Sequence, residues 1–248
     1  MLRRKTSLKA EIAIIGGTGL ESLLRFSHRV QVETPYGSST VSLGKIEEKA
    51  VAFLPRHGYR HELLPHRINY RANIYALYTI GVKKIIATNA VGAVNPKFQV
   101  GDIVVPHDLI DFTKQRTLSF FDEPESAHID FTEPYCSKLR EALIKAAEDS
   151  GEKVHKRAVY ACMEGPRYET AAEVRMLRML GCDIVGMTSI PEAVLARELR
   201  ICYASLCYVS NMAAGLGGRI SHRKIAEVAS SIKPRLDKIL MRTVSYLT

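Results

Sequence analysis

What the chain lacks narrows it first. No apolar run approaches the ~18 uninterrupted residues of a membrane helix. The basic opening Met1-Leu2-Arg3-Arg4-Lys5 is followed by only a short apolar stretch, with no cleavage pattern of a signal peptide. A cytoplasmic protein without membrane contact is therefore expected. Cys136, Cys162, Cys182, Cys202 and Cys207 form no C-x-x-C pair. An odd set of scattered thiols argues against a disulfide framework and a structural zinc site, and predicts buried small hydrophobes. Two nucleotide-loop signatures are also missing. The cluster Gly16-Gly17-Thr18-Gly19 has Ser22 where a dinucleotide fingerprint needs its third glycine, and the acidic residue expected about 20 positions on is poorly placed. No Lys-Ser/Thr pair follows, which excludes a Walker A loop.

What is present describes an ordinary globular chain. Its 248 residues, 46% hydrophobic and 25% charged, suffice for one large α/β domain. No Pro/Ser-rich linker divides residues 1–248 and no internal repeat is visible, so a single domain is expected. The net charge of +9 implies attraction to anions. The basic residues are dispersed, and neither zinc-finger spacing nor an RNP-like aromatic signature appears. A small anionic substrate or a solvated basic surface accounts for the charge as well as nucleic acid does. A non-catalytic nucleic-acid-binding protein is the reading from another class.

Strand-like runs fall at residues 11–15, 41–43, 50–54, 84–88, 102–105, 158–162, 183–187 and 201–209. Helical periodicity marks residues 68–79, 135–150, 170–180, 191–199 and 221–245. This alternation predicts an α/β fold with a mostly parallel sheet covered on both faces. Residues 111–134 are polar, carry several aromatics and show no period, as an active-site or subunit-interface loop would.

At the glycine cluster, the absence of Cβ lets backbone N–H groups approach an anion, and Thr18 adds a hydroxyl donor. These residues alone leave a phosphate cradle and a tight structural turn both open. A second basic stretch, Leu54-Pro55-Arg56-His57-Gly58, ends a predicted strand. Arginine presents a planar fork suited to phosphate oxygens, and an adjacent histidine can donate as well.

Four further segments change the weight of these observations: Thr88-Asn89-Ala90-Val91-Gly92, Glu164-Gly165-Pro166-Arg167-Tyr168-Glu169-Thr170, Gly186-Met187-Thr188-Ser189-Ile190-Pro191-Glu192 and Ser210-Asn211-Met212-Ala213. In this order, and with the glycine cluster and Arg56-His57, they resemble the trimeric purine nucleoside phosphorylase and methylthioadenosine phosphorylase family over nearly the whole chain. The resemblance implies a mixed, barrel-like β-sheet flanked by helices, a homotrimer or homohexamer, and phosphorolysis of a purine nucleoside to free base and ribose 1-phosphate. It implies no metal and no organic cofactor, inorganic phosphate being a co-substrate. Thr18, Arg56, His57, Asn89, Ala90 and Thr188 match the family's phosphate shell, and Met187 matches the residue under the ribose. Tyr168, Glu169, Asn211, Met212 and Ala213 match the base pocket, with Arg56, His57 and Asn211 in the catalytic positions. His128, in the aperiodic segment, aligns with a residue that reaches a neighbouring subunit's site.

The same resemblance bears on the substrate. A carboxylate at Glu169 accepts from the N1–H of a 6-oxopurine, and the Asn211 amide donates to N7 or O6. In the methylthioadenosine branch these positions are usually Ser and Asp, with a second carboxylate where Ala213 stands. Inosine or guanosine is expected over adenine nucleosides. His222 matches a histidine that bonds the 5′-hydroxyl, whereas methylthio-specific members carry an apolar residue there. A methylthio-nucleoside phosphorylase, acting on methylthioinosine or methylthioadenosine, is the alternative.

Overall fold

A computed structural model describes residues 9–16, 23, 25–121 and 128–247. Strand β1 (Ile12–Gly16) is buried along its whole length. It runs parallel to β4 (Lys49–Pro55) on one side and to β5 (Lys84–Ala93) on the other. A central strand covered on both faces needs apolar residues at every position, which is why Ile12-Ala13-Ile14-Ile15 shows no alternation. Ile12 and Ile14 pack with one apolar cluster, Ala13 and Ile15 with a second, as a two-residue side-chain period requires. Each large aliphatic side chain so buried contributes about 1.5–3 kcal/mol. Beyond β4, a hairpin of β2 (Arg25–Thr34) and β3 (Gly37–Ile46) extends the sheet antiparallel.

On its other edge β5 pairs along nearly its whole length with β11 (Cys202–Met212). The sheet then runs through β6 (Ile103–Val104) to β8 (Val154–His155). The same two chain segments continue as β7 (Asp108–Phe112) and β9 (Val159–Met163), which pair with each other, and β9 leads through β10 (Ile184–Gly186) back to β5. The circuit returns to its starting strand, which gives the sheet its barrel-like form. Val91, Val104, Tyr160, Cys162, Ile184 and Val209, contributed by five of these strands, pack in one buried cluster.

Helices α1 (Tyr70–Thr79) and α4 (Ser189–Glu198) cover one face of the sheet. Helices α2 (Ser137–Asp149) and α5 (His222–Tyr246) cover the other. Helix α3 (Ala171–Met179) starts with a capping box between Thr170 and Glu173. Among the described residues no helix is long and apolar enough to cross a membrane.

The sheet is mixed, as the resemblance implies: of the ten ladders among the described residues six are parallel, and those at β2/β3, β3/β4, β5/β10 and β6/β11 are antiparallel. Other expectations are corrected. The predicted loop at 111–134 begins inside β7, and β2, β7 and β8 were not anticipated because none carries a clean apolar period. Cys136 and Cys202 form a disulfide with their Cα atoms 5.3 Å apart, against the expectation of free thiols. Cys136 caps α2 and Cys202 opens β11, and the Cys136 N–H donates to the Tyr203 carbonyl at 2.8 Å. Tertiary pairing brings together two residues that spacing along the chain leaves 66 apart. Cys162, Cys182 and Cys207 are buried thiols, as expected.

Candidate active site

The site forms where β5 changes partners. Strand β1 leaves it after Ala87 and β10 joins it at Gly92, so Thr88–Val91 is paired on the β11 side and turns its other edge to a cavity of about 670 Å³. A switch of strand partners is where α/β sheets hold ligands. Ala90 is the one exposed residue in an otherwise covered strand, and its place on the cavity wall explains why.

Arg56, the residue after β4, is 3% exposed and held on three sides. Its Nε and Nη2 donate to the two carboxylate oxygens of Glu192, the latter at 2.9 Å, and Nη1 donates to the Thr88 carbonyl at 2.8 Å. Burial opposes the charge, but the Glu192 carboxylate outweighs it and raises the guanidinium pKa. Glu192 also accepts from the Tyr203 hydroxyl at 2.9 Å. The motif Gly186–Glu192 by itself assigns Glu192 no role. A carboxylate in the apolar first turns of α4, buried among Ile190, Ala193 and Leu195, is the signal that marks it, since such a charge needs a partner.

Asn89 donates from Nδ2 to the Thr188 hydroxyl at 2.9 Å and accepts from Ser205 at 2.7 Å. His57 sits against the Leu63 carbonyl through Nδ1 at 2.8 Å. A carbonyl only accepts, so Nδ1 carries the proton and Nε2 of the neutral ring keeps a lone pair. Burial, then the neighbouring Arg56 charge, lowers the His57 pKa to about 4. Arg56, His57, Asn89, Ala90 and Thr188 all line the one cavity. Thr18, Gly17 and Gly19 lie outside the described residues.

Tyr168, Glu169, Met187 and Asn211 line the same cavity. Glu169 precedes the N-terminus of α3, where the helix dipole favours a carboxylate. Burial outweighs that effect and raises its pKa. Asn211 follows a β-bulge between Val209 and Asn211 that re-aims its side chain. Its Nδ2 donates to the Met212 carbonyl at 2.9 Å and its Oδ1 accepts from Ser210 at 2.8 Å. Because the Met212 carbonyl can only accept, the amide nitrogen is fixed on that side with one N–H to spare. Gly92 makes room for it, for a Cβ there would lie 3.3 Å from Nδ2.

Two assigned base-pocket residues are not on the cavity wall. The Met212 side chain packs against the barrel cluster, and only its carbonyl serves the site, by orienting Asn211. Ala213 is buried in a separate apolar cluster. For Met212 this follows from alternation along β11, which turns successive side chains to opposite faces; Ala213 lies past the end of that strand, its N–H donating to the Ala93 carbonyl at 2.9 Å. His128 is exposed and stands away from the cavity. His222 does line it, beside His61, and both lie at the start of a wall from α5 that includes Ile225, Ala226, Ala229 and Leu236. His61 stacks on His57 with ring centroids 4.5 Å apart. The α5 wall was not anticipated, because its small residues read as an ordinary packed helix face.

A buried arginine, an amide–hydroxyl pair, and a carboxylate and an amide thus line one cavity where the strands change partners. The chain belongs to the phosphorylase superfamily, whose family model matches residues 11–245. It is 47% identical over 245 residues to the 6-oxopurine nucleoside phosphorylase of Pyrococcus furiosus, covering 95% of this chain and 92% of that one. It is 48% identical over 239 residues to a probable S-methyl-5′-thioinosine phosphorylase of Methanopyrus kandleri, covering 96% and 93%. The crystal structure of a methylthioadenosine phosphorylase from an antarctic soil metagenomic library superposes with a TM-score of 0.92 at 37% identity, covering 96% of this chain and 86% of that one.

Proposed function

We propose that the protein phosphorolyses 6-oxopurine nucleosides such as inosine and guanosine to the free base and ribose 1-phosphate. The observation that carries this reading is that Glu169 and Asn211 face the same cavity as Arg56, Asn89 and Thr188. Phosphate held by Arg56, the Asn89–Thr188 pair and the open edge at Ala90 attacks C1′ of the sugar, and fixing its oxygens supplies the orientation the reaction needs. His57 receives a P–OH on Nε2. As the glycosidic bond lengthens, the sugar gains oxocarbenium character, which the phosphate anion stabilises, and negative charge grows on the purine. The spare N–H of Asn211 donates to N7 or O6 of the departing base, an interaction stronger in the transition state than in the ground state. Glu169, as a carboxylate, accepts from N1–H. Adenine presents a lone pair at N1, and facing it with a carboxylate leaves both unpaired, at about 1–3 kcal/mol.

The second reading is methylthioinosine phosphorolysis. It keeps the base chemistry and is favoured by Ile225, Ala226, Ala229 and Leu236 on the α5 wall, which suit a thioether. His222 on the same wall favours a hydroxyl. Side-by-side phosphate-dependent turnover of inosine, methylthioinosine, adenosine and methylthioadenosine tests both. Preference for the two hypoxanthine nucleosides is expected, their ratio assigns the 5′ group, and His222→Val moves that ratio toward methylthioinosine. Preference for the adenine pair refutes the base assignment.

The reaction so written uses no metal or organic cofactor. We place the enzyme in the cytoplasm as a homotrimer or homohexamer without nucleic-acid partners, His128 then facing a neighbouring subunit's site.

A further inference from the structure

Arg116 lies in the aperiodic segment after β7, and the mechanism above makes no use of it. Its side chain is 3% exposed. The guanidinium donates four hydrogen bonds: from Nε to Glu164 Oε1 at 3.1 Å, from Nη2 to the Glu164 carbonyl at 2.6 Å, and from Nη1 to the Met187 carbonyl at 2.9 Å and the Tyr70 hydroxyl at 2.8 Å. Tyr70 passes its own proton to the Pro65 carbonyl at 2.9 Å. Glu164 in turn accepts the backbone N–H of Lys114 at 2.6 Å, which ties the loop carrying Arg116 to the same point.

These partners belong to three separate walls of the cavity. Glu164 opens the turn that leads to Tyr168 and Glu169, Met187 is the expected floor under the sugar, and Pro65 flanks His61. The first two walls also touch directly: a Cβ on Gly165, which has φ +65°, would lie 2.5 Å from Met187 Sδ. A planar fork of donors reaches the Glu164 and Met187 carbonyls and the Tyr70 hydroxyl at once, which a lysine ammonium on a flexible stem does not do.

We propose that Arg116 is a positioning residue that sets the sugar floor at Met187 and the base-reading turn at Glu169 relative to each other. It acts through their backbone carbonyls and touches no reacting atom. This gives the part of the aperiodic segment that carries Arg116 a role inside the subunit's own site. The inference rests on the nucleoside reading of the cavity. The phosphate group is held by other contacts, through Arg56, Asn89 and Thr188, so loss of Arg116 acts on one substrate and not the other.

The test compares steady-state kinetics of the full-length wild type with Arg116→Lys, Arg116→Gln and Glu164→Gln, varying inosine and phosphate separately, with thermal midpoints recorded for each. In Arg116→Gln we expect kcat/KM for inosine to fall by 30-fold or more, the inosine-to-adenosine preference to shrink, and KM for phosphate to change less than 3-fold. Arg116→Lys recovers a minor part. Glu164→Gln, which keeps the backbone carbonyl, shows an intermediate loss and serves if the Arg116 variants do not fold. Equal loss toward inosine and phosphate, or a lowered midpoint with unaltered KM values and base preference, overturns the positioning role. Absence of phosphorolysis in the wild type overturns the functional reading, and this inference with it.

Discussion

Removing the Cys136–Cys202 bridge isolates one contribution to stability whose size follows from the fold. The disulfide closes a loop of 66 residues between the start of α2 and the start of β11. In the chain-entropy model, the unfolded ensemble loses about 15 cal/mol/K through a closure of this length, or about 4 kcal/mol at 25 °C. The folded state loses little with the bridge, because the Cys136 N–H still donates to the Tyr203 carbonyl and α2 still packs on α5. The double variant Cys136→Ser/Cys202→Ser is therefore expected to be less stable by about 4 kcal/mol, shifting Tm by roughly 10 °C or more for a chain of this size. Its unfolding slope in guanidinium rises, since an uncrosslinked denatured chain exposes more surface. Turnover at low temperature stays near wild type, for neither cysteine lines the cavity. Thiol titration of the unfolded, unreduced wild type should find three of the five cysteines reactive. Five reactive thiols, or a denaturation midpoint unmoved by the double substitution, would refute the reasoning.

Glu169→Gln replaces an acceptor with an amide and should cut kcat/KM for inosine by about 10- to 100-fold, from a mismatch of about 1–3 kcal/mol, with KM for phosphate little changed. The acid limb of the pH profile belongs to the same residue. Its pKa is raised, so the acceptor form is lost as pH falls through a value above the ordinary one, while His57 stays neutral down to about 4. Glu169→Gln should remove that limb, and a limb that survives it would reassign the titration. Glu192→Leu leaves the Arg56 charge buried without a partner and should cost about 3–5 kcal/mol, read by denaturant unfolding together with loss of turnover. An unchanged unfolding midpoint would mean that Glu192 does not carry the pair.

The parts of the fold legible in the sequence were those whose environment is uniform. Strand β1 reads as a strand because both faces are covered, and α2 and α5 read as helices because one stripe meets the sheet. Strand β8 is two residues long, and β2 carries charged residues such as Glu33 at the edge of the sheet, so neither leaves a period to find. The site was legible wherever a residue type has few other uses. Arg56-His57 after a strand, and Glu169 before a capped helix, announce chemistry. The disulfide and Glu192 were not legible in the same way, because each depends on a partner that only tertiary structure supplies. Met212 and Ala213 were misassigned for a different reason: Met212 alternates to the face of β11 opposite Asn211, and Ala213 lies past the end of the strand.

The buried network around Arg56 also bears on how the site attracts its anion. Arginine carries five N–H donors, and three are engaged by Glu192 and Thr88 before any ligand arrives. Two remain for phosphate, in an orientation already fixed. The ion pair cancels the charge of Arg56 locally, so the chain's net charge of +9 is not what holds phosphate here; aimed donors are. Donors set in place beforehand cost no reorganisation when the sugar–base bond breaks. On the proposed reading, Glu192 and Tyr203 serve the reaction by holding Arg56 rather than by touching the sugar. The switch of strand partners at β5 is what lets a buried arginine, backbone donors and the re-aimed Asn211 face one another across a single cavity.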